Sequence, residues 1–247
     1  FEDMDPTKFP SQFMKRNAKG LLNEKLKEMP MGYYEEEHGN RYPENEGRVS
    51  LRKKMRAMFS NPEKVNSSQI FPHNIAYDAA NASSTATIEM TQAQWDSKII
   101  DTLKKLEETR NKIANGDVTD GVSNCQLEVA KALSSGKFIG CADVSGSMYW
   151  MSKPPNRPID ISIGLTAFLS QIASEEYRDI ALSFTSQPKI FSFKNMKLKE
   201  RIETIKEYSG YSTNYYGLHK EVLDLCNNNN VKEEDIPTIV VFTDGQF

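Results

Sequence analysis

The chain of 247 residues has a formal charge of −3 and a pI near 5.8, so no overall basic field draws it to nucleic acid or to a membrane surface. A hydrophobic content of 38% with 10% aromatics is enough for a real core. No apolar run approaches the roughly 18–20 residues that a membrane-spanning helix needs.

The first 64 residues mix short helical patterns with breakers. Ser11 reads as a cap before an apolar-periodic run through Met14, Leu21, Leu22 and Leu26. Pro30, Gly32, Gly39, Pro43 and Gly47 then mark residues 29–47 as a surface loop, with Glu35, Glu36 and Glu37 solvated inside it. Residues 50–59 predict a helix, because Leu51, Met55, Met58 and Phe59 recur at helical spacing. Its other face carries Arg48, Arg52, Lys53, Lys54 and Arg56. Such a basic face can grip phosphates, but no aromatics interleave it for base stacking, and a solvated face is the plainer reading.

Phe71-Pro72-His73 predicts an extended entry into a short helix, with His73 at the surface, and residues 81–87 read as a flexible polar loop. A long helix is expected from Thr91 through Ile99, Ile100, Leu103 and Leu106 to about Asn115, anchored by Trp95 in the core. Residues 117–135 form a connector and a short helix. Residues 137–142 are an apolar run that reads as a buried strand. Tyr149 and Trp150 follow as candidate partner contacts, beside a loop rich in proline around Lys153.

Pro158 opens a helix that is apolar nearly all round, as expected of one packed on a sheet. Residues 179–185 and 189–193 predict an antiparallel hairpin at a sheet edge. Residues 198–208 and 216–226 predict two more helices, the second with Leu218, Val222, Leu223 and Leu225 inward. His219 lies among polar neighbours and reads as exposed. Residues 238–244 form a second buried strand. The cysteines, Cys125, Cys141 and Cys226, have no Cys-x-x-Cys spacing and read as buried, reduced thiols.

The chemistry concentrates at the two strand ends. Asp143-Val144-Ser145-Gly146-Ser147 offers a carboxylate and two hydroxyls within five residues. Hard divalent cations favour such oxygen donors, and Mg²⁺ prefers octahedral geometry at about 2.0–2.1 Å. Thr213, in a polar turn, and Asp244, closing the second strand, would approach from the carboxyl ends of strands, where open α/β sheets gather ligands. The competing reading of these five residues is that they satisfy loop backbone groups. A phosphotransferase of the haloacid-dehalogenase type needs a second acid two residues after the first, and Ser145 stands there. There is no Gly-x-x-x-x-Gly-Lys loop for a nucleotide, and the expectation is that the protein is not an enzyme.

Asp143-x-Ser145-x-Ser147, a later Thr213 and a strand-closing Asp244 resemble the metal-ion-dependent adhesion site (MIDAS) of von Willebrand factor type A (vWA) domains. Pro10-Ser11, Met14-Lys15, Phe71-Pro72-His73, Gln94-Trp95 and Phe242-Thr243-Asp244 further resemble a family found in plants and large DNA viruses. In that family a helical region precedes a vWA module, a layout similar to Ro/TROVE proteins. The resemblance implies an α/β, Rossmann-like fold with a mostly parallel sheet flanked by helices across residues 136–247, continuing past the sequence given. It also implies that residues 1–116 are the tail of a longer helical domain. Implied with it are Mg²⁺ or Mn²⁺ on Asp143, Ser145, Ser147, Thr213 and Asp244, and a protein partner that offers an exposed Asp or Glu. A second implied reading is a Ro-like protein whose helical part binds RNA, with the basic face from Arg48 to Arg56 as its candidate contact. No membrane partner is implied, and the expected location is the cytoplasm, or the virion if the source is a large DNA virus.

Overall fold

The computed structural model describes residues 3–24, 39–117, 123–150, 152–208, 210 and 212–245. Leu26, the acidic triplet at Glu35 to Glu37 and most of the expected 29–47 loop lie outside the described residues. The chain divides into two compact units, Phe1–Ile100 and Asp101–Phe247.

The first unit is helical. Helix α1 (Ser11–Leu21) is capped by Pro10, so Ser11 is its first residue rather than its cap and is buried. Helix α2 (Glu46–Phe59) begins four residues before the expected start, because the Asn45 side chain accepts a hydrogen bond from the Arg48 N–H. Met14, Leu51, Met55 and Met58 are buried together in the core, as their spacing requires. Helix α3 (Pro72–Ala80) starts on the expected proline, and His73 stacks on exposed Phe71 with ring centroids 5.7 Å apart. Helix α4 (Thr85–Asn115) starts six residues before the expected Thr91. Ser84 accounts for that difference, since its hydroxyl accepts the Thr87 N–H at 3.2 Å and satisfies an end that composition alone marks as loop. Trp95 is fully buried.

The second unit is α/β. Helix α5 (Asn124–Ser135) opens on a reciprocal Ser123–Gln126 capping box and ends at Gly136, whose φ of 76° is left-handed. A four-stranded sheet follows: β1 (Phe138–Asp143), β2 (Ile180–Phe184), β3 (Ile190–Ser192) and β4 (Thr238–Phe242), in the order β3-β2-β1-β4. Strand β1 is parallel to both β2 and β4, while β3 is the expected antiparallel edge. All six β1 residues are buried, which explains their unbroken apolar run up to Asp143.

Helices cover both sheet faces. Helix α6 (Pro158–Ile172) lies on β1 so closely that a Cβ on Gly140 would sit 3.3 Å from the Thr166 Cα. Gly140 pairs with Val240, so the alternate residues Ile239 and Val241 point to the opposite face, where they line a groove with Leu218 and Val222. Those two residues belong to α8 (Tyr215–Asn228), which follows α7 (Leu198–Glu207). Leu223 departs from the expected inward set: it is 58% exposed. It sits at the open border of the groove that Leu218, Val222 and Cys226 line more deeply. Cys141 and Cys226 are buried as expected, but Cys125, near the start of α5, is exposed. No helix among the described residues is long and apolar enough to cross a membrane.

Candidate metal centre

Strand β1 ends on Asp143 at the carboxyl edge of the sheet, with β2 and β4 ending alongside it. Asp143 pairs in register with Phe184, and Ala142 pairs with Phe242. Parallel pairing therefore brings Thr243 and Asp244, just past β4, to the edge where Asp143 stands. The Ser162 hydroxyl of α6 pins this end of β4 by donating to the Phe242 carbonyl at 3.0 Å.

The Asp143 side chain is 0% exposed. Its Oδ1 accepts the Ser145 N–H at 2.9 Å, and its Oδ2 accepts the Thr243 hydroxyl at 2.7 Å. Among the described residues no basic side chain pairs with it: a buried carboxylate is held by two neutral donors. Taking a carboxylate out of water is costly unless a positive charge compensates it, so the position is electrostatically suited to a cation.

The two hydroxyls of the turn fit the same occupant. Ser145 Oγ and Ser147 Oγ are hydrogen-bonded to each other, 3.2 Å apart. Adjacent donors of an octahedral ion with bonds of about 2.1 Å are separated by about 3.0 Å. This match of spacing, together with oxygen-only donor chemistry, means that the residues present fit Mg²⁺ or Mn²⁺. Among the described residues no three His, Cys, Asp or Glu side chains cluster.

Thr213 reaches the same edge through its neighbour. The Asn214 N–H donates to the Thr185 carbonyl at 3.0 Å, one residue past Phe184, and Asn214 Nδ2 donates to the Ser186 carbonyl at 3.3 Å. Asn214 Oδ1 in turn accepts the Gly217 N–H at 2.8 Å and caps α8. One asparagine thus ties the Thr213 turn to the end of β2 and starts the next helix.

Thr243 is the residue of this site that motif reading missed. Its hydroxyl donates to Asp143 and also accepts the Gly245 N–H at 3.1 Å, which closes the turn after β4. The signal was present in Phe242-Thr243-Asp244, but attention to the acid hid the hydroxyl beside it. Cys141, two residues before Asp143, is no rival ligand. Burial, with a smaller contribution from the Asp143 charge, pushes its thiol far up and keeps it protonated.

The rim carries the two expected aromatics. Trp150 is 84% exposed, and Tyr149 is exposed beneath the Arg157 guanidinium, 5.7 Å from its ring centre. Arg157 is held by Asp160 in a bidentate pair at 2.8 and 2.9 Å.

The basic face of α2 is arranged differently from the expected solvated stripe. Arg52 is buried, donates to the Leu22 carbonyl at 3.2 Å and has its pKa lowered, chiefly by desolvation. Arg56 pairs with Glu89 at 3.1 Å, and Arg48 lies over the Tyr42 ring at 4.8 Å. Lys53 and Lys54 are exposed. The apolar spacing of this helix was legible, but the fate of each cation depended on partners distant in sequence.

A search of curated proteins and a search of solved structures each return no match to the chain. Residues 137–247, which span the sheet and the turns of Asp143 and Thr213, are similar to the family described as a domain of unknown function (DUF7788).

Proposed function

We propose that this protein is a non-catalytic, divalent-metal-dependent protein-interaction module of the von Willebrand factor A kind. Asp143, Ser145, Ser147, Thr213 and Asp244 hold Mg²⁺ or Mn²⁺, directly or through water. When bound, the cation supplies an electrophilic centre for an Asp or Glu carboxylate of the partner. The observation that carries this reading is the Asp143 carboxylate, 0% exposed and held only by neutral donors among the described residues. The Ser145–Ser147 oxygen spacing of 3.2 Å supports it. The two carboxylates formally balance the cation's charge, and with the three hydroxyls they leave a sixth octahedral position that a partner's carboxylate can fill. That arrangement favours binding over turnover.

The test is Mn²⁺ titration of the full chain, followed by electron paramagnetic resonance and calorimetry. One Mn²⁺ should bind and be displaced by Mg²⁺, with affinity falling at least about tenfold in Ser147→Ala and lost in Asp143→Asn. Unchanged Mn²⁺ affinity in both variants would overturn the proposal.

A further inference from the structure

We infer that the partner presents an extended acidic peptide with a large apolar side chain next to the acid, received by two aromatic pairs that border the metal turn. This inference rests on the function proposed above and adds the class of ligand. The first pair, Tyr149 and Trp150, follows Ser147 by two and three residues. The second, Tyr215 and Tyr216, follows Thr213 by the same interval. Each pair therefore leaves the site on a segment that also supplies a cation donor.

Trp150 is 84% exposed and Tyr216 80%. Isolated surface aromatics need no explanation, but four exposed ones on the two segments that carry proposed cation donors are candidate partner contacts. Aromatics of this size each bring about 150–250 Å² of contact area and commonly dominate interface energetics.

The first member of each pair, Tyr149 and Tyr215, is preorganised. Tyr215 packs edge-on against Phe184 with centroids 6.5 Å apart, and Phe184 is the register partner of Asp143. Its other side meets His219 at 4.6 Å. Tyr149 is held from above by Arg157, which the Asp160 carboxylate, only 3% exposed, clamps through both oxygens. Fixing exposed aromatics before the partner arrives lowers the ordering cost of binding.

Charge selects the occupant. The open position of the proposed cation takes an oxygen donor such as a carboxylate, and exposed Lys153 adds positive charge on the segment that carries Trp150. A nucleic acid would use the aromatics for stacking, but it also needs a basic groove along its backbone, and Lys153 beside an Arg157 that Asp160 neutralises does not make one. An acidic peptide fits both features.

The experiment uses the full chain on an array of immobilised nonapeptides with a central Asp and randomised flanks, with Mn²⁺ and with EDTA. Expected are Mn²⁺-dependent signals enriched in Leu, Phe, Trp or Pro next to the Asp. The best peptide should lose about tenfold or more in affinity with Trp150→Ala and with Tyr216→Ala. Its Asn counterpart should not bind. Both substitutions are at exposed positions, and circular dichroism should show unchanged folding. Selection without flank preference, or equal affinity in both variants while Mn²⁺ still binds, overturns this inference and leaves the metal site standing. Failure to bind Mn²⁺ overturns both. Aromatic-dependent retention of a 12-nucleotide oligouridine, with no peptide selected, also overturns it in favour of RNA.

Discussion

Replacing Asp143 by Asn tests the electrostatic argument independently of any partner. Burying a carboxylate costs several kcal/mol even after the surroundings relax. Hydrogen bonds to a charged acceptor return roughly 1.5–3 kcal/mol each, and Asp143 has two from the protein. Without metal a deficit on the order of 1 kcal/mol remains. Asparagine has the same shape, keeps an acceptor for the Ser145 N–H and removes the charge. Its thermal midpoint in EDTA should therefore exceed that of the wild type by about 3 °C for a domain of this size. Saturating Mg²⁺, at about 100 times its Kd, should stabilise the wild type by about 2.7 kcal/mol, or about 8 °C, and leave the variant unmoved. The two melting curves then exchange order between EDTA and Mg²⁺. Asp143→Ala is the control: it leaves both donors unpaired and should be destabilised by about 2 kcal/mol in either buffer. Scanning calorimetry of the three proteins decides the matter. If Asn melts below wild type in EDTA, or if Mg²⁺ raises both equally, the buried charge is not what the cation answers.

Four further outcomes follow from the packing. Gly136→Ala should cost about 2 kcal/mol or more in urea unfolding, because φ there is 76° and the new Cβ would lie 2.7 Å from the Ser174 nitrogen. Arg201→Met should lower the unfolding free energy measured in urea by about 3 kcal/mol, since the buried guanidinium pairs with Asp179 at 2.7 Å and donates to the Met196 carbonyl at 2.9 Å. Burial outweighs the 2.7 Å Lys15 contact and pushes the Asp78 carboxyl up, so the folded state holds that proton more tightly than the unfolded chain. The Asp78 contribution to stability should thus decline as pH rises through the window above about 4; Asp78→Asn should remove that part of the decline in urea midpoints compared across the window. Leu223→Glu should change stability by less than about 0.5 kcal/mol, and a loss like that of a core leucine would show that the residue is covered.

The elements that could be read were those whose signal is local. Strand β1 announced itself as an unbroken apolar run because both of its faces are covered, and α6 because Pro158 opens an apolar helix. The start of α4 did not, because Ser84 and Thr87 look like loop composition until the Ser84 hydroxyl is seen accepting the Thr87 N–H and bonding the Thr87 hydroxyl. The exposure of Leu223 was hidden for another reason. Helical spacing ranks residues around an axis but does not say how wide a stripe the sheet will cover.

The same distinction divides the candidate site. Asp143, Ser145 and Ser147 are neighbours in sequence, so their shared turn was visible as a motif, and the structure adds the 3.2 Å contact between the two hydroxyls. Thr243 lies a hundred residues from Asp143, and only the parallel β1–β4 register makes it that carboxylate's donor. Arg157 and Asp160 looked like ordinary residues at a helix start, yet together they aim Tyr149. Sequence therefore exposes the groups that could touch a cation, while the groups that hold those ligands in place emerge only from the fold. A substitution at Thr243 separates the two classes. Thr243→Val keeps the β-branched shape, removes the hydroxyl that orients Asp143 and leaves all five proposed donors intact. A loss of Mn²⁺ affinity of about tenfold in that variant, with unfolding changed by no more than about 1–2 kcal/mol, would mark Thr243 as a positioning residue. Full Mn²⁺ affinity would mean that Asp143 needs no such guidance.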